Sequence, residues 1–200
     1  MKPYYSHAGI TIYHGDCREI LPQLGPFDLL LTDPPYPNCL ELEYRYRPDG
    51  IEFLRDFPCR QFIFWTPSAP FPLDWTGKRM WDKAVGTATQ FEEIYERNNA
   101  SGYKIHRYYS MACFSSVGAQ MCNEIVTGHP SQKPLKLIKE LLCLAPNAQN
   151  VLDPFCGSGT TLVAAKAAGL EATGIEREER YCEIAAQRLS QEVFSFEAVA

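Results

Sequence analysis

Asn150-Val151-Leu152-Asp153-Pro154-Phe155-Cys156-Gly157-Ser158-Gly159-Thr160-Thr161 is the stretch that decides how this chain folds. A short strand, Asn150 to Leu152, runs into a turn carrying two glycines. Thr161 to Ala168 then form a small-residue helix stopped by Gly169. Glu171 to Ile175 read as the next strand with Glu176 at its tip, and Tyr181, Ile184, Ala185 and Leu189 stripe a final amphipathic helix. Strand, helix, strand, helix around a tight glycine turn is the βαβ pattern of a doubly wound, mostly parallel, Rossmann-like α/β sheet.

The rest of that sheet lies upstream. Gly9 to His14 reads as a strand by its β-branched and aromatic content, with Asp16 as cap of a helix from Arg18 to Leu24. Phe27 to Thr32 and Gln61 to Thr66 are near-continuous apolar runs, as expected for parallel strands covered on both faces. Arg79 to Lys83 and Phe91 to Glu96 are candidate late strands. Pro134 sits at an N1-like position ahead of a helix striped by Leu135, Ile138, Leu141, Leu142 and Ala145. The proline- and aromatic-rich stretches between Tyr36 and Gln61 and from Pro67 to Lys78 read as loops over a site, and Ala100 to Gly128 as irregular chain.

Two hundred residues suit one domain, 1–200. No apolar run approaches the roughly 20 residues that cross a bilayer, and Met1 opens no basic-then-apolar leader, so a cytoplasmic protein without membrane contact is expected. The eight cysteines include no C-x-x-C pair, which points to reduced thiols and no metal site. A net charge of −5 argues against coating nucleic acid by charge alone. From Arg97 to Lys139, however, Arg97, Lys104, Arg107, Lys133, Lys136 and Lys139 face the single acid Glu124. That segment is either a basic face for phosphates or a solvated charge run.

The glycine turn lets backbone at Gly157 and Gly159 approach a ligand, and the helix starting near Thr160 offers N–H groups to an anion. A P-loop would need a lysine after its last glycine, and a dinucleotide fingerprint a third glycine where Leu162 stands. Glu176, about twenty residues past the turn, is placed to accept from two ribose hydroxyls. This combination suits S-adenosylmethionine better than NAD.

A second motif, Asp33-Pro34-Pro35-Tyr36, closes the strand Phe27 to Thr32. It brings a carboxylate, carbonyls without neighbouring N–H groups and an aromatic ring to one strand end, which equips it to hold a planar amino group. With it the chain resembles the amino-methyltransferases of DNA, in the class whose catalytic motif precedes the glycine motif, a circularly permuted arrangement. The resemblance includes Gly15-Asp16-Cys17 with Leu21 behind it, Asp33 to Tyr36, Trp81-Asp82-Lys83, Tyr95-Glu96, His129-Pro130-Ser131-Gln132-Lys133-Pro134 and Asp153 to Thr161, in that order.

The resemblance implies that Asp16 accepts from the cofactor's adenine amino group beside the Cys17 backbone. Ser131, Lys133 and Thr160 would gather the methionine carboxylate. Asp153, Phe155 and the Gly157, Ser158 and Gly159 backbone would line the methionine moiety, and Glu176 would hold the ribose. Asp33 and the Pro34 carbonyl would accept the target amine's N–H bonds, Pro35 would fix the turn, and Tyr36 would stack on a base flipped out of duplex DNA. Aspartate at the first motif position usually accompanies adenine N6 and serine cytosine N4, so adenine leads. The rivals are cytosine N4, an amino group of RNA or protein, and a non-catalytic binding module.

Relatives usually carry a sizeable recognition segment before the histidine-proline motif, whereas here only 97–128 is available. Tyr103, His106, Arg107, Tyr108 and Tyr109 are candidates within it, as are Tyr44-Arg45-Tyr46-Arg47. Either the enzyme reads a short or relaxed site, or it dimerises or borrows specificity from another chain.

Overall fold

The computed structural model describes residues 1–37, 50–83, 91–99, 104–107, 129 and 131–190. Among them nine strands form one sheet: β1 (Tyr5–His7), β2 (Ile10–His14), β3 (Leu29–Thr32), β4 (Arg60–Trp65), β5 (Gly77–Asp82), β6 (Phe91–Arg97), β7 (Lys104–Arg107), β8 (Asn150–Asp153) and β9 (Glu171–Glu176). The helices are α1 (Cys17–Ile20), α2 (Leu135–Cys143), α3 (Thr160–Ala167) and α4 (Glu179–Ser190), with 3-10 turns at Leu21–Gln23 and Glu52–Asp56.

Spatial order is β1-β2-β9-β8-β3-β4-β6-β5-β7. The five strands from β2 to β4 run parallel, while β6 is antiparallel to both β4 and β5. From β8 the chain crosses through α3 to β9 on one side, and from β3 it proceeds to β4 on the other. The carboxyl ends of β8 and β3 therefore part company, and that divergence opens the crevice where doubly wound sheets bind ligands. Chain order places the β3 side of the crevice more than a hundred residues before the β8 side, the permuted arrangement that the motif order implies.

Alternation along β3 shows why its sequence is continuously apolar. Leu29 and Leu31 pack under α2, α3 and α4 with Leu137, Leu141, Leu162 and Ala185, whereas Leu30 faces Ile20, Leu54, Ile63 and Leu152 on the other face. All three leucines are fully buried. Each such side chain contributes about 1.5–3 kcal/mol.

Element ends follow local chemistry. Asp16 caps α1 by accepting from the Arg18 amide, and Pro22 turns the expected helix to Leu24 into a 3-10 turn after Ile20. Pro134 is extended and stands at the N-cap of α2 rather than at N1, its carbonyl accepting from Ile138. The stretch read as irregular holds β7, which pairs parallel with β5. Only His106 of β7 points inward, so an edge strand of Lys104, Ile105 and Arg107 offers too little apolar pattern to be seen locally. The candidates Tyr44 to Arg47, Tyr103, Tyr108 and Tyr109 lie outside the described residues.

Gly159 is the N-cap of α3 at φ 77°, and a Cβ there would stand 2.8 Å from the Cβ of Ala185 on α4. Gly159→Ala is expected to lower unfolding free energy by about 1–3 kcal/mol, from left-handed backbone strain plus crowding. Urea denaturation of the two proteins measures it; equal midpoints would contradict the packing described.

Candidate active site

The crevice is walled by the residues that follow β2, β3, β8 and β9. Gly15 to Arg18, Thr32 to Tyr36, Asp153 to Ser158 with Thr160 and Thr161, and Ile175 to Glu178 all line it, joined by Ile51, Phe53, His129, Ser131, Gln132 and Lys133. The structure thus brings Asp16, Cys17, Asp33, Pro34, Pro35, Tyr36, Ser131, Lys133, Asp153, Phe155, Gly157, Ser158, Thr160 and Glu176 around one space. Gly159 stands behind that lining, against α4.

The glycine side is shaped by close approach. Gly157 has φ 49°, and a Cβ on it would meet His129 Nε2 at 2.8 Å. The His129 ring in turn rests on Tyr181, centroids 4.4 Å apart, and its Nδ1 accepts from the Ser131 amide at 3.2 Å. Glu176 ties the turn from the far side: Oε2 accepts from the Gly157 amide at 2.9 Å and Oε1 from the Glu178 amide at 2.8 Å. Burial raises the Glu176 pKa, against the pull of those amides. Its carboxylate keeps lone pairs for further donors. Arg188 of α4 clamps the turn from behind, donating to the Ser158 carbonyl at 2.6 Å and the Thr160 hydroxyl at 3.1 Å.

Asp16 is already engaged. Its Oδ1 accepts from the Arg18 amide and its Oδ2 pairs with the Arg18 guanidinium at 3.1 Å. Cys17, beside it, is pushed up to about 12, chiefly by burial, and Cys156 well above the ordinary thiol value for the same reason. Both are thiols at neutral pH, so neither is a ready nucleophile. Among the described residues no cluster of three His, Cys, Asp or Glu side chains could hold a metal.

Two contacts define the β3 side. The Thr32 hydroxyl donates to Asp153 Oδ1 at 2.7 Å, and the Phe155 amide donates to the same oxygen at 3.2 Å. Farther out, Tyr36 donates to Asp33 Oδ1 at 2.6 Å, and its ring meets Trp65 edge-on at 5.6 Å. Lys133 bonds Asp33 Oδ2 and stands 3.4 Å from Glu92, which Lys83 contacts at 2.7 Å. Burial raises the Asp33 pKa and the Glu92 charge adds to it, while Lys133 opposes. For Lys133 burial works against the charged amine, yet Asp33 and Glu92 outweigh it and its pKa ends above the usual value.

Lys133 is buried among these carboxylates and the rings of Phe64 and Trp81, so it is not a solvated cation before a helix. The basic segment dissolves in the same way. Arg97 is buried against Asp74 and Gln61, Lys104 pairs with Glu140 and Arg107 with Asp82. Of its six cations, Lys136 and Lys139 remain on exposed positions of α2. Glu92 belongs to none of the sequence motifs. Its one signal is a carboxylate at the start of a strand paired with the strand that ends at Asp82, just before Lys83.

A family model described as DNA methylase of the N6/N4 type matches residues 61–187. Type II methyltransferase M2.LlaDCHI of Lactococcus lactis subsp. cremoris is 48% identical over 251 aligned positions, covering 95% of this chain and 93% of that protein. The alignment is longer than the chain, so that relative carries internal segments absent here. Among solved structures, the M1.HpyAVI–SAM complex superposes with TM-score 0.59 at 22% identity, covering 91% of this chain and all of that one. PvuII DNA methyltransferase, which is cytosine-N4-specific, superposes with TM-score 0.66 at 13% identity, covering 97% of this chain and 91% of that one. At these identities the two structures speak for the fold.

Asp153 supplies a test of the site's electrostatics. Burial raises its pKa to about 6, against the hydrogen bonds from Thr161 and Thr32. A folded-state pKa above the unfolded one means the ionised carboxylate costs stability above pH 6, a cost relieved as pH falls from about 6 toward 4. Asp153→Asn is therefore expected to gain in melting temperature relative to wild type at pH 7–8, with the gain shrinking across that interval. A difference independent of pH would contradict the assignment.

Proposed function

Because the chain belongs to the N6/N4 family of DNA methylases, we propose that it moves a methyl group from S-adenosylmethionine to the exocyclic N6 of adenine in duplex DNA. The observation that carries this reading is the shared crevice: Asp33 and Tyr36 at the end of β3 open onto the same space as the glycine turn and Glu176.

The residues present fit such a cofactor. The absent side chain at Gly157 leaves room against His129, and the Glu176 carboxylate lies at the tip of β9 where ribose hydroxyls can donate to it. Ser131 and Thr160, with the amino end of α3, line the space in which the methionine carboxylate would sit, and Lys133, paired with Asp33 and Glu92, lines it too. Asp153 and Phe155 line the methionine part. Asp16 and Cys17 bound the adenine end, beside Ile51 and Phe53. When bound, S-adenosylmethionine supplies an electrophilic methyl on a sulfonium.

The chain's own residues must make a poor nucleophile competent. The N6 lone pair is delocalised into the ring, and the nitrogen gains positive charge as the new bond forms. Asp33 and the Pro34 carbonyl accept its two N–H bonds, turn the lone pair out of the ring plane and stabilise that developing charge. Pro35 holds the turn. Swinging the base out of the duplex costs a few kcal/mol. Stacking on an aromatic returns about 1–3 kcal/mol per base, and Tyr36 is the ring in place to provide it.

Aspartate rather than serine at position 33 supports adenine. The shortness of 97–128, together with an alignment to M2.LlaDCHI longer than this chain, supports a short or relaxed recognition site, or recognition completed by a second copy or a partner chain. No described helix is long and apolar enough to cross a membrane. We assign the reaction to the cytoplasm of a bacterial or phage-infected cell, where DNA and cofactor meet.

Incubation with labelled cofactor and DNA, followed by nucleoside digestion, is expected to yield N6-methyladenine. Recovery of N4-methylcytosine alone would sink the adenine assignment. Asp33→Ala is expected to bind the cofactor calorimetrically while transfer falls by about 10²–10³-fold, the size of effect seen when one transition-state stabilising group is removed. An undiminished rate would refute the role given to Asp33.

A further inference from the structure

We propose that Glu92 is a positioning residue, a standby acceptor that takes over the Tyr36 hydroxyl and the Lys133 ammonium when Asp33 accepts the target amine. The inference rests on the methyl-transfer reading above and concerns a residue that reading does not use.

The difficulty it resolves is geometric. Asp33 has both oxygens occupied, Oδ1 by the Tyr36 hydroxyl at 2.6 Å and Oδ2 by Lys133. An incoming N–H must share or displace one of these donors. A displaced hydroxyl or ammonium in a buried setting would lose its partner, and leaving such a group unsatisfied costs more than a typical hydrogen bond contributes. Glu92 Oε2 already lies 3.2 Å from the Tyr36 hydroxyl and 3.4 Å from Lys133 Nζ. Both donors can therefore turn from one carboxylate to the other through a small rotation.

The other oxygen explains why Glu92 does not hold them permanently. Lys83 Nζ contacts Glu92 Oε1 at 2.7 Å, which satisfies that carboxylate and moderates its pull on Lys133. Four elements thus deliver two carboxylates and two ammonium groups: Asp33 after β3, Lys83 after β5, Glu92 on β6 and Lys133 ahead of α2. Tyr36 joins them, and Asp153, on whose carboxyl the Asp33 charge acts, is a further titratable neighbour of Asp33. Within the cluster of two carboxylates and two ammonium groups the charges balance, which a buried cluster requires.

The titration pattern agrees with the division of labour. Burial works against the Glu92 charge, but Lys133 and Lys83 outweigh it and keep Glu92 ionised below the usual carboxylate range, while Asp33 is raised. Environments that push two neighbouring carboxyl groups apart separate a lasting anion, here Glu92, from a carboxyl that takes up its proton at higher pH, here Asp33.

Substitution of either partner should move Asp33 in opposite directions. In Glu92→Gln one anion leaves and Lys133 falls wholly to Asp33, so the acid limb of the kcat–pH profile moves to lower pH while kcat drops about 10- to 100-fold, the fold-change for one buried polar group left unsatisfied. In Lys83→Met, Glu92 draws Lys133 away and the limb moves to higher pH. Glu92→Asp keeps the charge and should return the limb to its wild-type position.

The same shifts should appear without substrate, as changes in the Asp33 carboxyl titration followed by carbon-13 NMR and assigned with Asp33→Asn. The charge-balanced Lys83→Met/Glu92→Gln pair serves if either single variant unfolds, and it should retain cofactor affinity with lowered kcat. Unchanged kcat in Glu92→Gln, or a loss with the Asp33 titration unmoved in both single variants, overturns the proposal. Failure of the methyl-transfer reading would show separately, as a wild-type protein that transfers no methyl group, and the NMR titrations would still decide the network.

Discussion

The hydrogen bond from Thr32 to Asp153 joins the last residues of two neighbouring parallel strands, β3 and β8, that lie 121 positions apart in the chain. Asp153 is buried and needs donors. It finds them in Thr32 on one strand and in the Phe155 amide that begins the glycine turn on its own. Satisfying that carboxylate therefore sets the position of the turn relative to the strand carrying Asp33. Everything proposed for the crevice depends on that register, because an amine held at Asp33 and a methyl presented beside the turn would have to meet within a fraction of an ångström.

The sheet's parallel centre was legible because its demands are local. A strand covered on both faces must be apolar throughout, as Leu29 to Leu31 and Phe62 to Trp65 are, and a strand that must turn against another helix needs glycine where backbone is left-handed. The edges were not legible. β1 and β7 expose most of their side chains and are strands by virtue of what they pair with, Ile10 to Ile12 in one case and Arg79 to Asp82 in the other. Residue type alone carries no trace of that pairing. Crevice residues at the ends of β2, β3, β8 and β9 could be found from sequence since the topology of a doubly wound sheet gathers its crevice there, and the His129 to Pro134 motif, which stands ahead of α2, showed only as a motif.

Glu92 escaped for a different reason. Its significance lies in partners from three other elements, and an isolated glutamate on a strand such as Phe91 to Arg97 looks like any solvent-facing residue until Tyr36, Lys83 and Lys133 are seen around it. The same strand supplies Glu96, fully buried and paired with Arg60 and near Arg79. β6 is thus a strand of buried carboxylates between β4 and β5. Such groups persist only when each has a cation or donor in reach. Arg60 and Arg79 meet that requirement for Glu96, and Lys83 and Lys133 meet it for Glu92.

Phosphate contacts need cations whose charge is free to face the duplex, yet Arg97 and Lys133 are buried in ion pairs and Lys104 and Arg107 are matched by Glu140 and Asp82. Of the basic run from Arg97 to Lys139, Arg97 and Lys133 are internal wiring of the sheet, Lys104 and Arg107 are exposed but matched by acids, and Lys136 and Lys139 stand exposed on α2. Chemistry and recognition are consequently separable here. The crevice at the ends of β3, β8 and β9 gathers its acids, amides and aromatic ring without drawing on the exposed cations of α2. On the proposed reading, recognition by shape, by aromatic contact with a displaced base or through another chain complements those few exposed cations.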